Sequence, residues 1–412
     1  MADQMQWTNA LSTRPSLEAA VADVVQRARS SLTAPADLGL VFISSAFTSE
    51  YSRLIPLLAE KLSVPVLIGC SGGGVIGTSS WGQTQELEAE PALCLSLAHL
   101  PGVNVQAFHV VTEELPDLDG PPNAWIDLTG VPPSPTPQFI LLSDSFSSGI
   151  IDLLQGLDYA YPGSVKVGGQ ASGAGIGGSI GLFCNDRLYR EGTVGLALSG
   201  NIVLETIVAQ GCRPIGKPYQ VTKGERNIVL ELDEQVPLVM LRDLIANLSE
   251  EDRILAQHFL FVGVAMDEFK QDLQQGDFLI RNILGVEPSA GAIAINDYVR
   301  PGQRLQFHLR DAKSSAEDLE FLLLRYQQQV STPSAFGAFM FSCMGRGEGL
   351  YGKPNFDSQI FQRYLNDIPL TGFFCGGEIG PVGGSTFLHN YTSVFGICRE
   401  IESRGGFNSD NL

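Results

Sequence analysis

Basic residues are scarce in this chain. Against 45 aspartates and glutamates stand 26 lysines and arginines, a formal net charge of −19 over 412 residues. A duplex or an anionic membrane surface would repel that field, and no local Lys/Arg cluster offsets it, which argues against nucleic-acid binding. Histidine is scarcer still, at positions 99, 109, 258, 308 and 389, with no H-x-x-x-H or H-E-x-x-H spacing to hold a metal. The seven cysteines are scattered, odd in number and without a C-x-x-C pair. That pattern argues against a zinc ribbon or a disulfide framework and fits reduced thiols in a cytoplasm. No apolar run approaches the ~20 residues of a membrane helix, and the start, Met1-Ala2-Asp3-Gln4-Met5-Gln6-Trp7, lacks a signal-peptide pattern. The expectation is a cytoplasmic protein that neither enters a membrane nor holds a resident metal.

Glycine is plentiful at 45 residues, proline numbers 23, and only 17% of residues are charged, a balance that suits strands and loops in two or three domains. Three apolar stretches run straight into glycine: Leu67-Ile68-Gly69-Cys70-Ser71-Gly72-Gly73-Gly74, Val165-Lys166-Val167-Gly168-Gly169-Gln170-Ala171-Ser172-Gly173 and Gly372-Phe373-Phe374-Cys375-Gly376-Gly377-Glu378. Each such glycine costs roughly 1 kcal/mol to order relative to alanine. It persists where a ligand or a neighbouring strand must come close.

The stretches belong to an internal repeat. A helix over 16–31 precedes strand 38–44, a helix over 49–61 and the first glycine stretch, and strands 91–97 and 103–108 flank the turn Pro101-Gly102. The pattern restarts at strand 138–144 and again at 339–343. Ser44 to Gly69 and Ser143 to Gly168 are each 25 positions apart (69 − 44; 168 − 143). Between the second and third copies the spacing predicts helices over 233–248 and 249–258 and four strands, then a helix over 314–329 opened by Ser314-Ser315-Ala316-Glu317 as a capping box. The fold class is α/β (mixed α+β): β-α-β-glycine units in mixed sheets flanked by helices.

Phosphate-loop and nucleotide signatures are absent from all three stretches, as is a G-x-S-x-G elbow. Cys343, at a strand end before Gly345-Arg346-Gly347, has the setting of a thiolate nucleophile with Arg346 lowering its pKa and His389 as base. A small buried residue beside a tight turn is the reading that weighs more. Arg346, Glu378 and Asp144 put a cation and two carboxylates at strand ends, which suits a zwitterion such as an amino acid. The alternative is that Arg346 and Glu378 pair with one another. The candidate ligand contacts are therefore Asp144, Cys343, Arg346, Cys375, Gly376, Gly377, Glu378 and His389, with His389 also a candidate axial haem ligand.

With these residues in view the sequence resembles the FIST family. The resemblance rests on the first two glycine stretches, Gly211-Cys212-Arg213-Pro214-Ile215-Gly216, Asn282-Ile283-Leu284-Gly285, Phe341-Ser342-Cys343-Met344-Gly345-Arg346-Gly347, Gly372 to Gly383, and Phe387-Leu388-His389-Asn390-Tyr391-Thr392. It implies an N-terminal helical segment (1–37), a FIST N-terminal domain (38–230), a FIST C-terminal domain (231–400) and a flexible tail (401–412). It also implies a sensory module for small molecules such as amino acids, with haem-based nitric-oxide sensing in some similar proteins, and signalling through a separate partner protein.

Overall fold

Strand Leu38–Ser44 is buried at every position, as its unbroken apolar run requires of a strand covered on both faces. It pairs in parallel with Val66–Gly72 through a helical crossover. The same arrangement recurs in Gln138–Ser143 with Lys166–Gln170, and in Ala335–Cys343 with Leu370–Cys375. In this computed structural model residues 4–146, 149–173, 179–267, 269–273, 276–329 and 335–401 are described, and the expected tail beyond residue 401 lies outside them.

Each of three units follows one plan: outer strand, helix, first central strand, helix, second central strand, hairpin, closing strand. The first unit runs from Gln6–Ser12 to Leu93–His99, the second from Val103–Val110 to Thr193–Gly200, and the third from Val203–Ala209 to Ser393–Arg399. The outer strand, closing strand and two central strands of a unit lie side by side in one sheet. Its hairpin does not join them. Hairpin Gly74–Thr78/Thr84–Glu88 adds to the third unit's sheet, Leu182–Cys184/Arg187–Tyr189 to the first, and Glu378–Val382/Ser385–His389 to the second. Among the described residues this gives three six-stranded sheets interlocked in a cycle.

The inner faces of the three sheets share one core, in which Phe42, Ile68, Ile140, Leu142, Phe339, Phe341 and Phe373 meet. The outer faces are covered by each unit's own helices: Val41 and Ile43 under Leu17, Val21 and Leu54; Phe139 and Leu141 under Trp125 and Leu153; Met340 under Leu319 and Phe361. Alternate residues of one strand thus serve two cores. Polar groups also fasten the exchange. The first unit's hairpin brings Glu86 to the third unit's helix Phe356–Tyr364, where its Oε1 accepts from the Ser358 N–H at 2.7 Å, and Asn355 Oδ1 accepts from the Glu86 N–H at 2.6 Å.

A closed six-stranded barrel interrupts the third unit, entered from strand Val203–Ala209 and left through helix Ala312–Gln329. Its strands are Cys212–Glu225, Ile228–Leu232, Leu260–Ala265, Phe278–Glu287, Ala292–Ile295 and Arg304–Arg310, with helices Pro237–Ala246 and Glu250–Ala256 between them. Position 230 lies within strand Ile228–Leu232, and Val203–Ala209 pairs with Ser393–Arg399, so the third sheet draws on residues from both sides of the barrel.

The turn Pro101-Gly102 joins strands of different sheets and so crosses from the first unit to the second. Two sequence expectations change. Helix Ala312–Gln329 starts earlier than Ser314: Asp311 Oδ1 accepts from the Ser314 N–H at 2.6 Å and the Asp311 N–H donates to Ser314 Oγ at 3.2 Å, so Asp311 and Ser314 form the reciprocal cap. The repeat also aligns one residue differently. Gly69, Gly168 and Gly372 face Val41, Leu141 and Met340, which makes Ser44, Asp144 and Cys343 the equivalent residues. Their N–H groups donate alike to the carbonyls of Ala92, Gly192 and Thr392.

Candidate functional site

The glycines answer first to neighbouring strands. A Cβ at Gly69, Gly168 or Gly372 would lie 1.9, 1.8 or 1.8 Å from the carbonyl oxygen of Val41, Leu141 or Met340. Beyond them the three stretches converge and satisfy one another. The Ser172 N–H donates to the Ser71 carbonyl at 3.2 Å, and Ser172 Oγ accepts from the Gly73 N–H at 2.9 Å while donating to the Phe374 carbonyl. The Gly376 N–H donates to the Gln170 carbonyl at 2.9 Å, and the Gln170 N–H to the Gly377 carbonyl at 2.8 Å. Much of the expected loop is strand: Val66–Gly72 and Gly74–Thr78 are separated by Gly73 alone.

Arg346 does not pair with Glu378. Its Nε and one terminal nitrogen donate to the two oxygens of Asp357 at 2.6 and 3.0 Å, and the same terminal nitrogen reaches the Tyr351 hydroxyl at 2.6 Å. Both members of the pair are fully buried. Burial opposes the Arg346 charge, but Asp357 overcomes it and raises the guanidinium pKa.

Glu378 is equally buried and, among the described residues, has no cation partner within ion-pair distance. Its Oε2 accepts from the Thr392 N–H at 3.0 Å, its Oε1 has no hydrogen-bond partner among the described residues, and burial pushes the carboxyl up to about 8. Burial thus favours the protonated carboxyl. Burial, then the neighbouring Glu378, pushes the Cys343 thiol up to about 12, the reverse of activation by Arg346. Cys375 is likewise buried, with its thiol raised well above the ordinary range by burial. His389 faces Glu378 across the hairpin; its Nε2 bonds to the Gly380 carbonyl at 3.0 Å, and burial lowers its pKa to about 4. Asp144 stands in the second unit, where its oxygens accept from the Phe146 and Gly192 N–H groups at 2.7 and 2.6 Å. The fold thus gathers Cys343, Cys375, Glu378 and His389, leaves Arg346 to Asp357, and keeps Asp144 in a turn of its own.

Sequence reasoning missed Arg310. In strand Arg304–Arg310, Leu305, Phe307 and Leu309 fill the barrel core, while Gln306, His308 and Arg310 point away from it and are buried as well. The Arg310 guanidinium donates to the Gly345 carbonyl at 3.1 Å and lies 4.7 Å from the Tyr391 ring centre, with no carboxylate within 4.0 Å among the described residues. The alternating pattern of the strand was a signal for an outward polar row, not for its burial against the third unit.

Beside that row, at the seam of the barrel and the third unit, lies a cavity of about 310 Å³. Gln210, Cys212, Asp277, His308, Asp318 and Arg325 are among its lining residues, and none of the residues nominated from sequence is. The Gln210 amide extends the barrel ladder, donating to the Phe278 carbonyl at 2.8 Å and accepting from the Ile280 N–H at 2.9 Å. Asp318 accepts from the Gly211 N–H at 2.8 Å, Asp277 pairs with Lys270 at 2.7 Å, and Arg325 lies 5.9 Å from the Phe321 ring centre. A cation and two carboxylates thus face one small space.

His389 does not fit the axial haem ligand expected of it: it is fully enclosed, its Nε2 is taken by the Gly380 carbonyl, and it is absent from the cavity wall. His308, which does line the cavity, bonds at Nδ1 to the Gln306 carbonyl at 3.0 Å and packs its ring edge against Gly263.

Comparison with known proteins agrees with the resemblance. Residues 37–235 match the FIST N domain and residues 237–381 the FIST C domain. An uncharacterised protein of Mycobacterium tuberculosis is 33% identical over 94% of this chain and 98% of its own length. One from Mycobacterium bovis is 32% identical over 93% and 96%. A human F-box only protein is 32% identical over 75 residues, 14% of this chain and 19% of its own. With both domain types matched in order and relatives aligned almost end to end, the chain belongs to the FIST family.

Proposed function

We propose that this chain is a cytoplasmic sensory protein that binds a small zwitterion, such as an amino acid, in the cavity between barrel and third unit and signals through a separate protein. The observation that carries this reading is the joint presence of Arg325, Asp277 and Asp318 on one cavity wall. A guanidinium fork suits the ligand carboxylate and the aspartates suit its ammonium group. Binding without catalysis is the reading, supported by the Cys343 thiol being held up at about 12. The family to which the chain belongs is generally associated with ligand sensing, which agrees.

The test is thermal denaturation against an amino-acid panel. A ligand at 100 times its Kd adds about 2.7 kcal/mol and raises the midpoint by several degrees. Arg325 is exposed, so Arg325→Ala should keep the unliganded midpoint while abolishing the shift. A panel with no effect, or a shift that survives in Arg325→Ala, removes the support for this site.

A further inference from the structure

A second concavity lies on the other side of Met266, Val382 and Gly383, which line both it and the cavity above. It is an open groove of about 590 Å³, within the roughly 300–1,000 Å³ of small-molecule sites. Arg226 and Arg300 line it, as do Tyr298 and Phe387. Neither arginine has a carboxylate within 4.0 Å among the described residues. Asp297 is the acidic residue of the lining, and Arg281 engages it at 2.8 Å while lying 5.3 Å from the Phe387 ring centre. The lining thus carries Arg226 and Arg300 against Asp297, whose charge Arg281 meets from outside the lining, in a protein whose net charge is −19.

The two turns that carry the arginines are tied to each other. Arg226 has a φ of +54°, a conformation that side chains other than asparagine, aspartate and glycine rarely adopt. Its carbonyl accepts from the Val299 N–H at 2.5 Å, which ties its turn to the one bearing Tyr298 and Arg300. Tyr298, between two fixed neighbours, leaves its ring 76% exposed. Two guanidinium forks beside an exposed ring suit a flat ring that carries an oxyanion.

We infer that this groove is a binding site for a planar, ring-bearing anion, its phosphate or carboxylate held by Arg226 and Arg300 and its ring laid on Tyr298. The site is separate from the cavity, and neither stands or falls with the other. Calorimetric titration of the full chain with adenosine monophosphate against adenosine, and with benzoate against benzamide, separates the two sources of the anion. Binding of either anion at least tenfold tighter than its neutral counterpart is the expected result, and which pair shows it identifies phosphate or carboxylate. Arg226→Asn should weaken that anion at least tenfold while holding or raising the thermal midpoint, because asparagine tolerates the positive φ. Should Arg226→Asn lower the midpoint, the exposed Arg300→Ala takes its place with the same expected loss. No binding of either anion at millimolar concentration, equal binding of a neutral counterpart, or full affinity in the variants overturns the proposal.

Discussion

Arg346 and Asp357 form a two-point ion pair from which water is excluded, with contacts of 2.6 and 3.0 Å and neither side chain exposed. Removing one partner leaves a buried charge alone. Asp357→Asn should therefore destabilise the protein by about 3–5 kcal/mol, while Arg346→Met with Asp357→Leu should recover most of that loss. Urea denaturation of the two variants beside the wild type checks this, and a loss below about 1 kcal/mol in the single variant would contradict an unscreened pair.

The glycines make a sharper contrast. Gly168→Ala places a methyl 1.8 Å from the Leu141 carbonyl oxygen and should prevent soluble expression. Gly349, in helix Gly347–Tyr351, meets nothing within 4 Å, so Gly349→Ala should be neutral or stabilising by up to about 1 kcal/mol. Equal tolerance at both positions would show that close strand approach is not what selects glycine at Gly168.

Stability should decline on the alkaline side of neutrality. The Glu378 carboxyl is raised from 4.5 to about 8 by burial, so between those values the folded state holds a proton that the unfolded chain has released, and stability falls as pH rises. Glu86, raised to about 7 by burial and then by Asp357, acts in the same direction. His308 and His389, lowered from 6.5 to about 4 by burial, act oppositely below pH 6.5, where the unfolded chain takes up protons that the folded one does not. From pH 6.5 to about 8 the opposing contribution of the two histidines fades as their unfolded forms lose the last of their protons, and that of the carboxyls comes to dominate among these four. Denaturation midpoints across that window should fall for the wild type and fall less steeply for Glu378→Gln; identical slopes would remove Glu378 as the cause.

Every cysteine is buried and free. Ellman's reagent should report almost no reactive thiol in the native protein and seven after denaturation. Rapid native labelling of Cys343 at pH 7 would contradict a thiol held up at about 12.

What was legible followed periodicity and steric demand. Leu38 to Ser44 had to be a strand covered on both faces, and the glycine at 69, 168 and 372 reported a repeated close approach. The one-residue slip came from matching Ser143 to Ser44, whereas the ladder matches Asp144 to it. Partners distant in the chain were not legible. Nothing local to Arg346 singles out Asp357, on helix Phe356–Tyr364, over Glu378, which follows the third glycine stretch. The strand pattern around Arg310 likewise gave no sign of Gly345 and Tyr391, its partners in the third unit.

The exchanged hairpins also govern how the chain matures as it is made. The first sheet can be finished once strand Arg187–Tyr189 has been synthesised, but the second waits for Glu378–His389 near the far end. Until then strand Lys166–Gln170 presents bare N–H and carbonyl groups, an edge open to pairing with another chain. The last hairpin acts as a clasp, and a nascent chain stopped short of it has an adhesive rim.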